Sequence, residues 1–168
     1  MKFKYKDQIV TASSKAEAVK KITSYLNKDQ KQDLFDRAKQ GDLSVLDYPN
    51  SYLLLTNNYG NTPVHCLARK GVLEIINLRF FSKNKKVLFA QNKLGQTPIH
   101  ILAELGIKQI INLPEEFLKI RDNAGQTPAH YLAAAGVKCI NSLPPSVLSI
   151  LDKNRNSPLD ILRMSLKS

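Results

Sequence analysis

One four-residue phrase recurs along this chain, as Thr62-Pro63-Val64-His65, Thr97-Pro98-Ile99-His100 and Thr127-Pro128-Ala129-His130, with a worn copy at Ser157-Pro158-Leu159-Asp160. The hydroxyl of a Thr or Ser in the first place can accept from a free amide of a helix's opening turn, and a Pro after it loses no donor that the helix would use. Each phrase is therefore a helix start. Nine residues after each Thr stands a glycine, Gly71, Gly106 and Gly136, the residue that most readily takes the left-handed conformation at a helix end. A helix of about two turns is expected in each unit, at roughly 3.6 residues per turn.

Past the closing glycines, apolar residues recur at offsets one, four, five and seven: Val72, Ile75, Ile76 and Leu78, then Ile107, Ile110, Ile111 and Leu113. This spacing predicts a second amphipathic helix. It is cut short by proline at offset eight, Pro114 and Pro144, and by Pro49 in an earlier copy that lacks the phrase but keeps Ala38, Gly41, Val45, Leu46 and Tyr48 in register. The apolar runs after these prolines (Tyr52-Leu53-Leu55, Phe117-Leu118-Ile120, Val147-Leu148-Ile150) are expected to lie under the following unit, and Val87-Leu88-Ala90 matches them once five residues between Arg79 and Lys86 are set aside.

The closing glycines are 30, 35 and 30 residues apart. Together with Gly60-Asn61, Gly95-Gln96 and Gly125-Gln126 ahead of the phrases, and the Leu and Ala inside the helices, this pattern resembles the ankyrin repeat, whose usual period is about 33 residues. The resemblance implies a mainly α solenoid of helix–turn–helix units, in which each unit buries its apolar face against its neighbours. It divides the stack at 31–168 into a degenerate repeat at 31–56, a long repeat with an insertion at 57–91, repeats at 92–121 and 122–151, and a half repeat at 152–168. A composition 43% hydrophobic, without Trp, suits such a core.

Residues 1–30 read differently. Phe3 and Tyr5 alternate with lysines, Asp7-Gln8 can turn the chain, Ile9 to Ala12 can return, and Ser14-Lys15-Ala16-Glu17 has the form of a capping box ahead of Val19, Ile22 and Leu26. A strand pair and one helix are expected, acting as the N-terminal cap of the stack.

The resemblance gives His65, His100 and His130 a structural role, with Thr62, Thr97 and Thr127, in tying neighbouring repeats together. A shared metal does not fit, because stacked helices stand roughly 8–10 Å apart, whereas nitrogens on one zinc lie within about 4 Å of each other. No phosphate-cradling glycine loop and no metalloprotease helix is present. The chain is expected to be no enzyme and to need no cofactor. Cys66 and Cys139, without metal-type spacing, read as buried reduced thiols of a cytoplasmic protein. No apolar run approaches the roughly 18 residues of a membrane span.

Function then rests on the variable places of the repeat, which in the family present a concave groove and turn tips to a protein partner. Those places are Asn58, Tyr59 and Asn61; Lys93, Leu94 and Gln96; Arg121, Asn123 and Gln126; and, at the helix ends, Arg69, Lys70, Glu104, Leu105, Ala134 and Ala135. They run from basic to apolar along the stack, so the expected partner of a monomeric chain is an acidic protein with apolar anchors. Short repeats and a Lys/Asn-rich composition are similar to ankyrin-containing effectors of intracellular bacteria, which would act on a host protein in the host cytosol. Charge supports a rival. The chain carries 25 Lys+Arg against 14 Asp+Glu, a net +11, and Arg79, Lys83, Lys85, Lys86 and Lys93 fall in a stretch without acids. That segment could attract nucleic acid or anionic lipid.

Overall fold

The computed structural model describes residues 2–5, 8–11 and 28–166. It is mainly helical. Strands β1 (Lys2–Tyr5) and β2 (Gln8–Thr11) pair antiparallel, with Tyr5 opposite Gln8, so Gln8 belongs to the second strand rather than to the turn. The helix expected over residues 14–26 lies outside the described residues.

Helices α1 (Lys28–Gln40), α3 (Pro63–Arg69), α5 (Pro98–Glu104), α7 (Pro128–Ala134) and α9 (Pro158–Ser165) follow one another, each packed on the next. The repeated phrase starts four of them. Thr62, Thr97, Thr127 and Ser157 are extended N-caps with Pro at the first helical position, and the residue in the fourth place of each phrase returns a bond to the cap's own N–H. At the other end Gly41, Gly71, Gly106 and Gly136 have φ between +72° and +85°. The next residue donates back across the turn, as Val72 N–H does to the Leu67 carbonyl at 3.2 Å and Ile107 N–H to Leu102 at 3.1 Å. This wrapped end satisfies carbonyls that the short helices would otherwise leave free.

The expected second helices are 3₁₀ turns instead, at Leu43–Asp47, Leu73–Ile76, Lys108–Asn112 and Lys138–Ser142. The reason is local. A residue ahead of proline avoids the helical region, and Tyr48, Leu113 and Leu143 are extended, with ψ near 150°. In the long repeat Asn77, extended at ψ 154° as the N-cap of the next helix, ends the turn in the same way. One buried residue per turn, Val45, Ile75, Ile110 or Ile140, anchors it to the core.

After each proline comes a single helical turn: α2 (Asn50–Leu53), α6 (Glu115–Leu118) and α8 (Pro145–Leu148). Tyr52, Leu53, Phe117, Leu118 and Val147 from these turns are buried, whereas Leu55, Ile120, Leu148 and Ile150 are half-buried. The long repeat has no proline here. Asn77 caps helix α4 (Leu78–Leu88), its side-chain oxygen accepting the Phe80 N–H at 2.9 Å, and the five extra residues extend that helix rather than form a loop. Helical geometry breaks at Asn84 (φ −123°, ψ 22°), after which Val87 and Leu88 return to the core. Phe80 is buried; the side chains of Arg79 and Phe81 lie outside the described residues. Cys66 is buried as expected of both thiols, but Cys139, on a 3₁₀ turn, is exposed.

Candidate functional site

The turns that lead into the phrases share one construction. Asn57, Asn92, Asp122 and Asp152 each accept, through one side-chain oxygen, the N–H groups two and four residues on: Tyr59 and Asn61, Leu94 and Gln96, Ala124 and Gln126, Asn154 and Asn156, all at 2.8–3.1 Å. Such side-chain turns are what Asn and Asp do best. Each turn then hangs from its neighbour by a backbone bond: Lys93 N–H to Tyr59, Asn123 N–H to Leu94 and Lys153 N–H to Ala124, at 3.0–3.1 Å. The tips are held in a row.

The histidines join helices to these turns. Nδ1 of His65 accepts the Thr62 N–H at 3.1 Å, so the ring proton sits on Nε2, which donates to the Gln96 carbonyl at 2.9 Å. His100 makes the same pair of contacts with Thr97 and Gln126, and His130 with Thr127 and Asn156. Burial pulls the pKa of His65 and of His100 down to about 4, and lowers that of His130. All three are neutral joints. Among the described residues, no group of three His, Cys, Asp or Glu side chains could hold a metal ion.

A second inter-unit network runs through residues expected to face a partner. Asn92 donates to Asn61 Oδ1 at 2.9 Å, Gln96 donates to the Tyr131 hydroxyl at 2.9 Å, and that hydroxyl donates to Asp122 at 2.7 Å. Burial, with the Asp122 hydrogen bond behind it, pushes the Tyr131 phenol up to about 12. Gln126 reaches Asp152 at 3.4 Å, Asn123 reaches the Lys93 carbonyl at 2.9 Å, and the Arg121 guanidinium bonds to the Leu151 carbonyl. Asn61, Gln96, Arg121, Asn123 and Gln126 thus hold the row of turns together, although Arg121 and Asn123 remain exposed.

The other expected residues stay on the surface. Tyr59 (75% exposed) and Leu94 (63%) stand at the tips, beside Asn58 and Lys93. Tyr59, Leu94, Arg69 and Lys93 line one cavity of about 430 Å³, floored by Asn61 and Asn92. An adjoining cavity of about 350 Å³ lies between α1 and the first tip, sharing Tyr59 and including Asn58, Lys31, Phe35 and Lys39. Neither lining contains a carboxylate. Lys39 is paired with Asp36 at 2.9 Å, while Arg69, Lys93 and Lys31 form no ion pair among the described residues.

Lys70, Leu105 and Ala135 do not join these cavities. Each sits over the preceding unit's closing glycine: a Cβ added at Gly41, Gly71 or Gly106 would lie 3.9 Å from Lys70 Cβ, 4.0 Å from Leu105 Cδ1 or 3.6 Å from Ala135 Cβ. They form a separate row with exposed outer faces, next to the exposed Glu104 and Ala134. The basic residues of 79–93 are scattered. Lys85 pairs with Glu116 at 2.6 Å and lies 5.9 Å from the Phe117 ring centre, Lys83 lines a cavity beside the first 3₁₀ turn, Lys86 is exposed, and Lys93 belongs to a tip.

Sequence reasoning missed Lys31 and Phe35, because the degenerate copy has no phrase to set their register, and the turn residues Asn57, Asn92, Asp122 and Asp152. The latter carried a signal, an Asn or Asp five residues before every Thr or Ser cap. In comparisons with known proteins, the chain matches no family model and no curated sequence.

Proposed function

We propose that this chain is a non-enzymatic binding scaffold of the ankyrin type, a solenoid of short repeats that holds an acidic protein segment between its turn tips and first helices. One observation carries the reading: the cavity where Tyr59 and Leu94, both largely exposed, stand beside Arg69 and Lys93 with no carboxylate in the lining. Tyrosine and arginine dominate binding energy at protein interfaces, and an exposed apolar pair flanked by unpaired cations suits a carboxylate next to an apolar anchor. A rigid tip row supports this, since Asx turns, backbone bonds and histidine joints fix the groove before a partner arrives. Preorganisation lowers the ordering cost of binding.

The experiment is capture of partners by the intact chain and by a Tyr59→Ala/Arg69→Glu variant of unchanged melting temperature. Proteins held by the intact chain alone, and retained when salt is raised, support the groove. Loss of all capture with rising salt, at equal strength in both variants, sinks it in favour of an electrostatic surface. A host-cell partner, if the chain belongs with bacterial effectors, would be found by the same capture from host cytosol.

A further inference from the structure

The five-residue excess of the long repeat, folded into α4, leaves a cleft of about 580 Å³ between that helix and the 3₁₀ turn Leu43–Asp47. It shares no lining residue with the groove cavities. Leu43, Leu46, Tyr48 and Phe80 supply its apolar lining, and Asp47, Glu74 and Lys83 its charges. None of those three forms an ion pair among the described residues, and all three are exposed. In a chain of net charge +11, Asp47 and Glu74 against Lys83 give the described lining of this cleft an excess of negative charge.

We infer that this cleft is a second binding site, for a basic peptide segment whose Lys or Arg side chain pairs with Asp47 and Glu74 while an adjacent apolar side chain lies on Leu43, Leu46, Tyr48 and Phe80. Long basic side chains suit such a place, because the aliphatic stem covers apolar surface while the head reaches charge and water. The volume falls within the roughly 300–1,000 Å³ of ordinary ligand pockets. Its open mouth, however, would leave one face of an occupant in water, which favours a peptide over an enclosed small molecule. Asn77 and Asn84 add polar lining. The Asn77 side-chain oxygen is already taken by the Phe80 N–H, leaving its amide to donate to a peptide carbonyl. Lys83 works against a cation here, and that sign makes the proposal testable from both directions.

The test is an amide NMR titration of the full chain with the capped peptide Leu-Arg-Leu-Arg-Leu, beside a matched peptide with Glu for Arg. The arginine peptide is expected to shift residues 43–48 and 74–84. Asp47→Asn/Glu74→Gln should weaken it about tenfold, and Lys83→Gln should tighten it about threefold, the scale of exposed ion pairs. The glutamate peptide should leave those residues unmoved. No shift at 43–48 with millimolar arginine peptide, equal affinity in the doubly neutralised variant, or a stronger response to the glutamate peptide overturns the proposal. The groove reading stands or falls separately, because its residues lie outside the reporting set.

Discussion

His65 Nε2 lies 2.9 Å from the carbonyl oxygen of Gln96, 31 residues further along the chain. Nε2–H donates in either protonation state, but Nδ1 accepts the Thr62 N–H, a bond that protonation of Nδ1 would remove, and His100 and His130 stand in the same arrangement. Arg69 adds positive charge beside His65, and His100 does so once acid protonates it; His100 faces Asp122 and His130; His130 faces Asp152, Asp122 and Arg121.

Acid should therefore loosen the protein. With folded values of about 4 for His65 and His100, below the ordinary 6.5, stability is complete above pH 6.5. It falls as pH drops toward 4, because the unfolded chain binds protons that the folded chain refuses. Each of these two histidines is expected to cost about 3 kcal/mol across that window. His130 adds to the loss. Urea unfolding at stepped pH reads this directly, and a flat profile between pH 6.5 and 4.5 would contradict it. His100→Ala should cost roughly 1–3 kcal/mol at neutral pH by leaving its partners unpaired, and should flatten the acid dependence.

Two glycines with nearly the same φ should behave differently. A Cβ at Gly95 would lie 2.6 Å from the Asn123 backbone nitrogen, at the bond that hangs one tip from the next, whereas a Cβ at Gly136 meets nothing within 4 Å. Gly136→Ala is expected to cost about 1 kcal/mol, the left-handed penalty alone, and Gly95→Ala more than about 2 kcal/mol. Equal costs in denaturant unfolding would show that the tips do not depend on that approach.

Arg155 takes the place in the last turn that Gly60, Gly95 and Gly125 hold in the others, at φ 64°. Arg155→Gly should raise stability by up to about 1 kcal/mol by removing a left-handed side chain. A fall in melting temperature would mean that its side chain contributes more than the backbone loses.

Deleting Ser82 to Lys86 should leave a folded chain, since α4 would then match the single turns of α2, α6 and α8. The deletion loses the Lys85–Glu116 pair, an exposed contact of about 0–1 kcal/mol. Collapse of the circular dichroism signal would show that α4 is required for its neighbours to stack.

At the groove, Arg69→Glu or Tyr59→Ala should change stability within about 0.5 kcal/mol, as surface substitutions do, while abolishing partner capture. Leu105→Asp, in the row over the closing glycines, tests whether the partner extends that far. Capture lost with Leu105→Asp and kept with Tyr59→Ala would move the site to that row.

Helix starts and stops were legible in the sequence because they depend on neighbours in the chain. A Thr or Ser cap, a Pro at the first position and a Gly that accepts positive φ act within ten residues, so the phrase announced α3, α5, α7 and α9, and the glycine spacing announced the long repeat. The 3₁₀ turns were not legible as such: apolar spacing is the same for both helix types, and the extended residue that closes each turn decides between them, Tyr48, Leu113 or Leu143 ahead of proline and the helix-capping Asn77 in the long repeat. Tertiary structure alone determined what the polar positions do. Gln96 and Tyr59 occupy turn positions that the sequence treats alike, yet Gln96 meets Tyr131 across 35 residues and is buried, while Tyr59 projects into water. Which side chains are spent on neighbours and which remain for a partner depends on contacts between units, and those distances are set by stacking rather than by any local pattern.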